Sequence, residues 1–244
     1  MISKPELSII VPCYNENESI PHILQRFAEV KNSTNVELIL VNNGSTDDSQ
    51  VVIDQQLQKK NYSFARTVLV PQNIGYGNGI YLGLQQAQAD VVAYTHADLQ
   101  CDPADVFRAY EELKKTGKQE QYLIKGHRRN RRIIPQLLTS SFQIIASVLF
   151  FQRFWEINAQ PKVFHRSLLE QLKHPPLDFN FDFYVLYKAK KRGLQINSIP
   201  VDFPERKYGE SKWAFSHLSK LKGIHRFLRY MIRLRFLGEE RARK

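Results

Sequence analysis

The sequence predicts a single α/β domain with a mostly parallel central sheet and helices on both faces. Short apolar runs alternate with helical patterns through the first 100 residues, the order typical of such sheets. Polar clusters follow several of these runs, where ligands bind open α/β sheets. Hydrophobic residues make up 43% of the 244-residue chain and charged residues 24%, which is enough apolar material for a substantial core.

The elements of the first half follow from the apolar periodicity. Residues 7–11 form an apolar run that Pro12 ends, as expected of a buried strand. A helix through Ile23 and Phe27 follows, and Thr46 or Asp47 is expected to cap the next one. Strands are predicted at 7–11, 36–41, 67–70 and 91–94, with a further helix at 79–89.

The second half is less regular. A helix is predicted at 103–116, a strand at 122–126 and a late strand at 196–201, and a basic cluster at 127–132 precedes a charge-free run at 133–152. We therefore divide the chain into one main domain, residues 1–212, and a basic amphipathic C-terminal extension, residues 213–244. Within the domain, residues 1–102 form the first half and residues 103–212 the second.

The net charge of +11 favours an anionic partner, such as a phosphate-bearing substrate, an anionic membrane surface or nucleic acid. Nucleic acid is the disfavoured partner because aromatic residues are not interleaved with the arginine clusters. The two cysteines, Cys13 and Cys101, form no C-x-x-C pair, and the N-terminus lacks a signal-peptide pattern. A reducing, cytoplasmic compartment is therefore expected.

The Gly-rich turn at residues 73–79 does not have dinucleotide-binding spacing. Ile80 or Leu82 occupies the third glycine position of G-x-G-x-x-G, depending on the register, and the turn follows the third strand rather than the first. The chain has no Walker A motif. The turn is either a substrate-facing loop or a plain helix start.

Five motifs in order resemble family 2 glycosyltransferases of the GT-A, Rossmann-like fold, and among them the dolichol-phosphate-mannose synthase group. The resemblance covers residues 7 to 213. It lies in Ile-Ile-Val-Pro-Cys-Tyr-Asn-Glu at 9–16, Val-Asn-Asn-Gly-Ser-Thr-Asp-Asp at 41–48, Asn-Ile-Gly at 73–75, His-Ala-Asp-Leu-Gln-Cys-Asp-Pro at 96–103 and Arg-Lys-Tyr-Gly-Glu-Ser-Lys at 206–212.

The resemblance implies an inverting glycosyltransferase that moves a sugar from a nucleotide-diphospho-sugar to a membrane lipid-linked acceptor, polyprenyl phosphate above all. Asn43 stands where the family often has Asp, and an amide still hydrogen-bonds a base edge. The nucleotide-binding residues implied are Pro12, Tyr14, Asn15, Glu16, Asn43, Ser45, Asn73, Gly75 and Ala97. The alternative for Asn43 is a plain turn.

The segment at 96–98 matches the family's D-x-D motif and implies a site for Mg²⁺ or Mn²⁺, which prefer oxygen ligands and bridge to diphosphate oxygens. Asp98 occupies the second acidic position, and Gln100 offers a carbonyl oxygen. His96 departs from the family's usual Asp. It is a metal ligand, a phosphate hydrogen-bond donor or a packing residue.

The acceptor site implied by the resemblance is basic: Arg128, Arg206, Ser211 and Lys212 are expected to bind the acceptor phosphate. Such an acceptor needs no general base, whereas a sugar hydroxyl does, and Asp182 is the candidate base. Asp98, Asp182 and Arg206 are the predicted catalytic residues. Two alternatives stay open: a transferase that extends a lipid-linked or surface saccharide at a hydroxyl, and a non-catalytic nucleotide- or membrane-binding subunit, suggested by His96.

Two segments suggest membrane contact. The run 133–152 has apolar residues at helical spacing and is expected to be an interfacial or core helix, with membrane spanning as the less favoured reading. In the C-terminal extension, Leu228, Met231 and Ile232 lie on one predicted helix face, and Arg226, Arg229 and Arg233 lie on another. We expect peripheral binding to the anionic cytoplasmic face of a membrane, with a helix packed on the domain as the alternative. A homo-oligomer stays open.

Overall fold

The computed structural model of the chain describes residues 4–129, 133–204 and 217–243. Its centre is a sheet of seven described strands in the order β3-β2-β1-β4-β6-β5-β7. The strands are β1 Leu7–Cys13, β2 Val36–Asn43, β3 Ala65–Val70, β4 Val91–Tyr94, β5 Tyr122–Arg129, β6 Lys162–His165 and β7 Gln195–Asp202. The helices are α1 Ser19–Val30, α2 Ser49–Leu57, α3 Tyr76–Gln86, α4 Pro103–Lys115, α5 Ile133–Phe150, α6 Phe181–Lys191, α7 His217–Leu237 and α8 Glu239–Arg243.

The sheet is mostly parallel, which confirms the predicted class. β1 pairs in parallel with β2 and β4, β2 pairs in parallel with β3, and β5 pairs in parallel with β7. β6 is antiparallel to both β4 and β5, and the sequence analysis did not predict it. Its apolar part is only Val163-Phe164, between Lys162 and His165, so it shows no strand-length apolar run.

The two faces of the sheet carry separate hydrophobic cores. Ile9 and Val11 of β1 belong to the core beneath α1 and α4, whereas Ile10 belongs to the core beneath α3 and α6. This division follows from the two-residue alternation of side chains along a strand. α3 packs closely on the sheet, because a Cβ added at Gly83 would overlap Ile10 and Val41.

Two predicted boundaries change in ways that affect the site. α3 begins at Tyr76 rather than at residue 79, so the Gly-rich turn leads directly into the helix. β5 continues past residue 126 to Arg129, and Arg128 lies opposite Val201 of β7. The first part of the basic cluster is therefore strand, and its side chains are held in fixed positions.

The C-terminal helix α7 packs on the domain. Tyr230, Met231 and Leu234 are buried in the core that α3 and α6 also cover, whereas Ile232 is 52% exposed. The prediction that Met231 and Ile232 share one membrane-facing stripe is wrong, because the domain covers Met231. No helix in the described parts of the chain is long and apolar enough to cross a membrane.

Candidate active site

The loops that follow β1 and β2 are bonded to each other at the carboxyl edge of the sheet. The backbone N–H of Asn15 donates to Ser45 Oγ at 3.0 Å, and the N–H of Thr46 donates to Asn15 Oδ1 at 2.8 Å. The N–H of Glu16 donates to Ser49 Oγ at 2.9 Å. Asn15 has φ 54°, a left-handed conformation that Asn tolerates well. The predicted nucleotide-binding residues Asn15, Glu16 and Ser45 therefore form one preorganised rim.

The side chain of Asn43 is hydrogen-bonded to the backbone of the Gly-rich turn. This side chain is buried, and its Nδ2 donates to the carbonyl of Gly75 at 3.0 Å. Asn73 Oδ1 accepts the N–H of Gly75 at 2.9 Å, and Gly75 has φ 135°, which favours glycine. A Cβ at Gly75 would overlap the carbonyl of Leu177. Asn43 Oδ1 is buried with no partner among the described residues, so this oxygen is the atom through which Asn43 would meet a ligand.

Asp98 lies in the loop after β4 and is nearly buried, with 8% of its surface exposed. Its Oδ1 accepts the N–H of Gln100 at 3.1 Å, and Leu99 between them has φ 57°. The Gln100 side-chain Nε2 donates to the Pro204 carbonyl at 2.9 Å, so Gln100 ties this loop to the segment after β7. The loop thus has a fixed, strained backbone, as is common at functional sites.

Asp102, at the end of the same loop, has a structural role. Its Oδ1 accepts the N–H of Ala104 at 2.9 Å and so caps α4. Both carboxylate oxygens also accept from Arg26, at 3.0 Å each. Although burial opposes it, the hydrogen bonds from Arg26 and Ala104 lower the pKa of Asp102. Both oxygens of the Asp102 carboxylate are therefore already bonded within the protein.

His96 is stacked rather than grouped with acidic side chains. Its ring lies 5.7 Å from that of Tyr76, which in turn stacks on Phe179 at 5.0 Å. Burial lowers the pKa of His96 although Asp98 and Asp182 act in the opposite direction, so the imidazole is neutral at neutral pH. Within residues 4–129, 133–204 and 217–243, no three His, Cys, Asp or Glu side chains form a group that could hold a metal ion.

Asp182, the predicted base, lies inside the protein at the first turn of α6. Its Oδ1 is 2.5 Å from Nζ of Lys162, and it accepts from Tyr94 Oη at 2.9 Å and from Gln160 Nε2 at 3.0 Å. Lys162 is fully buried and Asp182 is 2% exposed. The carboxylate is therefore already neutralised and hydrogen-bonded by residues of the protein.

Arg128 is the predicted acceptor residue that the structure describes, and it too is buried. Its Nε donates to Glu156 Oε2 at 2.6 Å, and its guanidinium lies over the ring of Phe203 at 5.4 Å. Its Nη2 is buried with no partner among the described residues. Lys125 Nζ donates to the carbonyl of Glu156 at 3.2 Å. Burial lowers the pKa of Lys125 to about 7, and the positive charge of the nearby Lys162 is the second contribution.

Parts of the second half of the domain and the Asp98 loop are neighbours in space. Asp98, Asp182, Lys162 and Arg128 all influence the pKa of His96, so these charges lie in the same region of the protein. Tyr76, at the start of α3, accepts a hydrogen bond from Gln160 Nε2 at 3.3 Å. The Gly-rich turn, the Asp98 loop and the buried basic cluster of Lys125, Arg128 and Lys162 therefore meet at one edge of the sheet.

Several site predictions have different outcomes. Arg206, Ser211 and Lys212 lie outside the described residues, so their roles stay predictions. Pro12 lies in β1, Tyr14 lies in the loop that follows, and Ala97 is buried beside Asp98. Sequence reasoning missed Lys125, Glu156 and Lys162. One signal was available: Lys125 interrupts the apolar run of β5, where a charge is unexpected without a buried partner.

The match to known proteins agrees with this geometry. The family model described as glycosyl transferase family 2 matches residues 8–190. The chain belongs to that family. It is 28% identical over 221 residues to the undecaprenyl-phosphate 4-deoxy-4-formamido-L-arabinose transferase of Photorhabdus laumondii subsp. laumondii and 27% identical over 223 residues to that of Proteus mirabilis. Each match covers 88% of this chain but 65% of the relative, so the chain spans about two thirds of the length of these relatives.

The fold is similar to solved structures of one glycosyltransferase. Glucosyl-3-phosphoglycerate synthase from Mycobacterium tuberculosis, in complex with Mn²⁺, UDP-glucose and phosphoglyceric acid, matches with a TM-score of 0.71 at 19% identity. The match covers 95% of this chain and 79% of that chain. The complex of the same protein with Mn²⁺, UDP and glucosyl-3-phosphoglycerate has a TM-score of 0.68 at 20% identity. That match covers 95% of this chain and 80% of that chain. The family 2 chain therefore has the GT-A fold.

Proposed function

We propose that this chain is an inverting glycosyltransferase that moves a sugar from a nucleotide-diphospho-sugar to polyprenyl phosphate. The observation that carries the proposal is the buried basic cluster beside the Asp98 loop, with Nη2 of Arg128 lacking a partner among the described residues. A buried guanidinium in this position suits an anionic acceptor. The relatives in Photorhabdus and Proteus, named for undecaprenyl phosphate, support the same acceptor class.

The donor would lie across the bonded loops after β1, β2 and β3. The rim of Asn15, Glu16 and Ser45 is held by hydrogen bonds within the protein, so it needs little rearrangement on binding. Tyr14 and Pro12 flank this rim, and Asn43 beneath the Gly75 turn offers its Oδ1. UDP in the similar mycobacterial structures supports a nucleoside diphosphate as the leaving group.

The Asp98 loop is compatible with Mg²⁺ or Mn²⁺. Its carboxylate is a hard oxygen donor at the end of β4, and the diphosphate oxygens of the donor would complete the coordination. His96 is neutral and within the same loop, whereas the Gln100 amide nitrogen is engaged by Pro204, which leaves Gln100 its carbonyl oxygen. When bound, the metal would offset the charge that develops on the leaving nucleoside diphosphate.

The acceptor chemistry needs positioning rather than a base. An oxygen of polyprenyl phosphate forms a bond to the anomeric carbon, while the bond from that carbon to the diphosphate breaks and inverts the configuration. A phosphate oxygen is already nucleophilic, so Arg128 and the loop with Arg206, Ser211 and Lys212 would hold it in line. The burial of Asp182 and its contacts with Lys162, Tyr94 and Gln160 support this acceptor over a sugar hydroxyl, because the carboxylate already has partners within the protein.

The same proposal places the protein at the cytoplasmic face of a membrane, as a peripheral protein that takes a soluble donor and a lipid acceptor. The net charge of +11 supports contact with anionic lipids.

The decisive test is mass spectrometry of the products after incubation with a panel of nucleotide sugars, polyprenyl phosphate and Mn²⁺. We expect one glycosyl phospholipid, and its absence with Asp98→Ala. Full transfer by Asp98→Ala from every donor that the wild type uses would reject the proposed site. Transfer to a saccharide hydroxyl, lost in Asp182→Asn while the fold is intact, would favour polysaccharide extension. Metal-dependent turnover excludes a non-catalytic subunit.

A further inference from the structure

One face of α5 is apolar and exposed. Ile144 and Val148 are 61% and 67% exposed and lie one turn apart on the same side of the helix, and Phe151, directly after the helix, is 83% exposed. The opposite side holds Ala146 and Phe150 against the core beneath α6. Exposed large apolar residues are ordinary when scattered, but a continuous row of them marks an interaction surface.

α7 extends the same face. Phe142 contacts Phe227 at 5.3 Å near the start of the pair, and Arg235 lies 5.6 Å above the ring of Phe151 at the other end. The two helices therefore run side by side in the same direction. Next to Arg235, Ile232 and Phe236 are 52% and 70% exposed. We call Ile144, Val148, Phe151, Ile232 and Phe236 the apolar face.

The charge around the apolar face has one dominant sign. Neither α5 nor α7 contains an acidic residue, whereas α7 carries exposed Arg226, Arg229 and Arg235. On the following α8, Glu239 is directed inward to Tyr184 and Lys188. Glu240 is exposed but stands among Arg241 and Arg243. An apolar row flanked by arginines matches lipid chains with anionic headgroups better than it matches an acidic or neutral protein surface.

We propose that the apolar face is the docking surface of this protein on an anionic bilayer, with Phe151 and Phe236 inserted below the headgroups. The inference rests on the proposed function in one respect, because a lipid acceptor must reach the site from the bilayer. The geometry provides a short route. Trp155 is 41% exposed and immediately precedes Glu156, whose carboxylate pairs with Arg128. A segment of only four residues, 152–155, thus joins Phe151 of the docking surface to Glu156, the partner of the residue expected to hold the acceptor phosphate.

The test uses the full chain and no nucleotide sugar, so it does not depend on activity. Sedimentation with vesicles of phosphatidylglycerol and phosphatidylcholine is compared with vesicles of phosphatidylcholine alone. We expect binding to the anionic vesicles that weakens as salt is raised. Phe151→Ser and Phe236→Ser should each reduce the partition coefficient about tenfold, because each removes a large apolar side chain that would be buried in the bilayer on binding.

Matched controls are available on the far side of the molecule. Val51 and Leu69 are 53% and 61% exposed, similar to the apolar face, and Val51→Ser and Leu69→Ser should leave vesicle binding unchanged. Equal losses in the controls, or wild-type protein that does not bind anionic vesicles, would overturn the proposal. If Phe151→Ser instead abolishes a concentration-dependent dimer that forms without lipid, the face is a self-association surface and the proposal is wrong.

A second measurement locates the bound face. The chain has two tryptophans, Trp155 and Trp213, so Trp213→Phe leaves Trp155 as the sole reporter. Brominated lipids should quench its fluorescence when the protein binds. Binding without quenching would show that another surface docks. Vesicle binding without glycosyl transfer would instead count against the proposed function and leave the docking surface intact.

Discussion

The carboxylate of Glu156 lies 2.6 Å from Nε of Arg128 inside the protein, and only 7% and 8% of the two side chains are exposed. Glu156 has φ 45°, a conformation that a residue with a long side chain rarely adopts. The chain therefore bears local strain where it holds the guanidinium. Nε of Arg128 makes this bond, whereas its Nη2 has no partner among the described residues.

We expect Glu156→Gln to lower the free energy of unfolding by about 3 kcal/mol, because it leaves the buried Arg128 charge without a counterion. Chemical denaturation measures this. Glu111→Gln, which breaks an exposed pair with Lys114, is the control and should cost less than about 1 kcal/mol. The double variant Arg128→Met with Glu156→Gln should recover part of the loss. A cost for Glu156→Gln as small as that of the control would show that the pair contributes little.

Asp98→Asn is expected to reduce kcat by at least about 100-fold, because it removes the carboxylate placed to hold the metal and so weakens stabilisation of the leaving group. Steady-state assays with Mn²⁺ measure the loss. Asp102→Asn is the matched control in the same loop: an Asn still caps α4, and only the exposed contact with Arg26 is lost. Comparable losses in both variants would mean that loop integrity, not metal binding, sets the rate.

The fold followed from the sequence where strands are long and apolar. β1, β2 and β4 are buried runs, and their predicted positions are confirmed within a few residues. β6 was missed because Lys162 and His165 occupy half of a four-residue strand. Lys162 is fully buried at the start of β6, where its charge is paired with Asp182, 20 residues away in the chain. Local propensity carries no information about such a partner.

The positions of the candidate site residues followed from the sequence where motifs are local, whereas charges that pair over a distance in the chain were missed. The loop residues Asn15, Ser45 and Asp98 lie at the carboxyl edge of the sheet, as strand order implies. Glu156 shows no motif, and its role depends on Arg128, which lies 28 residues earlier. The stripe on α7 was assigned to a membrane because a helical wheel does not tell which apolar side faces the domain.

Gly75→Ala should destabilise the protein by about 3 kcal/mol and raise the KM for the donor. The new Cβ would overlap the Leu177 carbonyl at a φ of 135°, and the turn would release its bond to Asn43. Gly117→Ala is the control, since Gly117 also has positive φ, 63°, but open space around it, and about 1 kcal/mol is expected. Thermal or chemical unfolding and donor titration measure both effects. Equal losses of unfolding free energy in the two variants would show that the positive φ alone, without the overlap with Leu177, accounts for the requirement for glycine at position 75.

Lys125 should make stability depend on pH. Burial, reinforced by Lys162, lowers its pKa from 10.5 to about 7 in the folded protein. Between these values the unfolded chain binds the proton and the folded protein does not, so stability rises with pH in this window. Below pH 7 the lysine is charged in both the folded and the unfolded state, so the folded protein bears the full cost of burying the charge.

The measurement compares the wild type with Lys125→Met from pH 6 to pH 10. We expect the free energy of unfolding of the wild type, relative to that of the variant, to increase by up to about 1.4 kcal/mol per pH unit above pH 7. Lys118→Met, which removes an exposed lysine, controls for the loss of one positive charge. A difference between wild type and Lys125→Met that stays constant across the range would mean that Lys125 keeps its proton in the fold. The carbonyl of Glu156 would then hold a full ammonium charge beside Arg128, and the basic cluster would carry one more positive charge toward the acceptor.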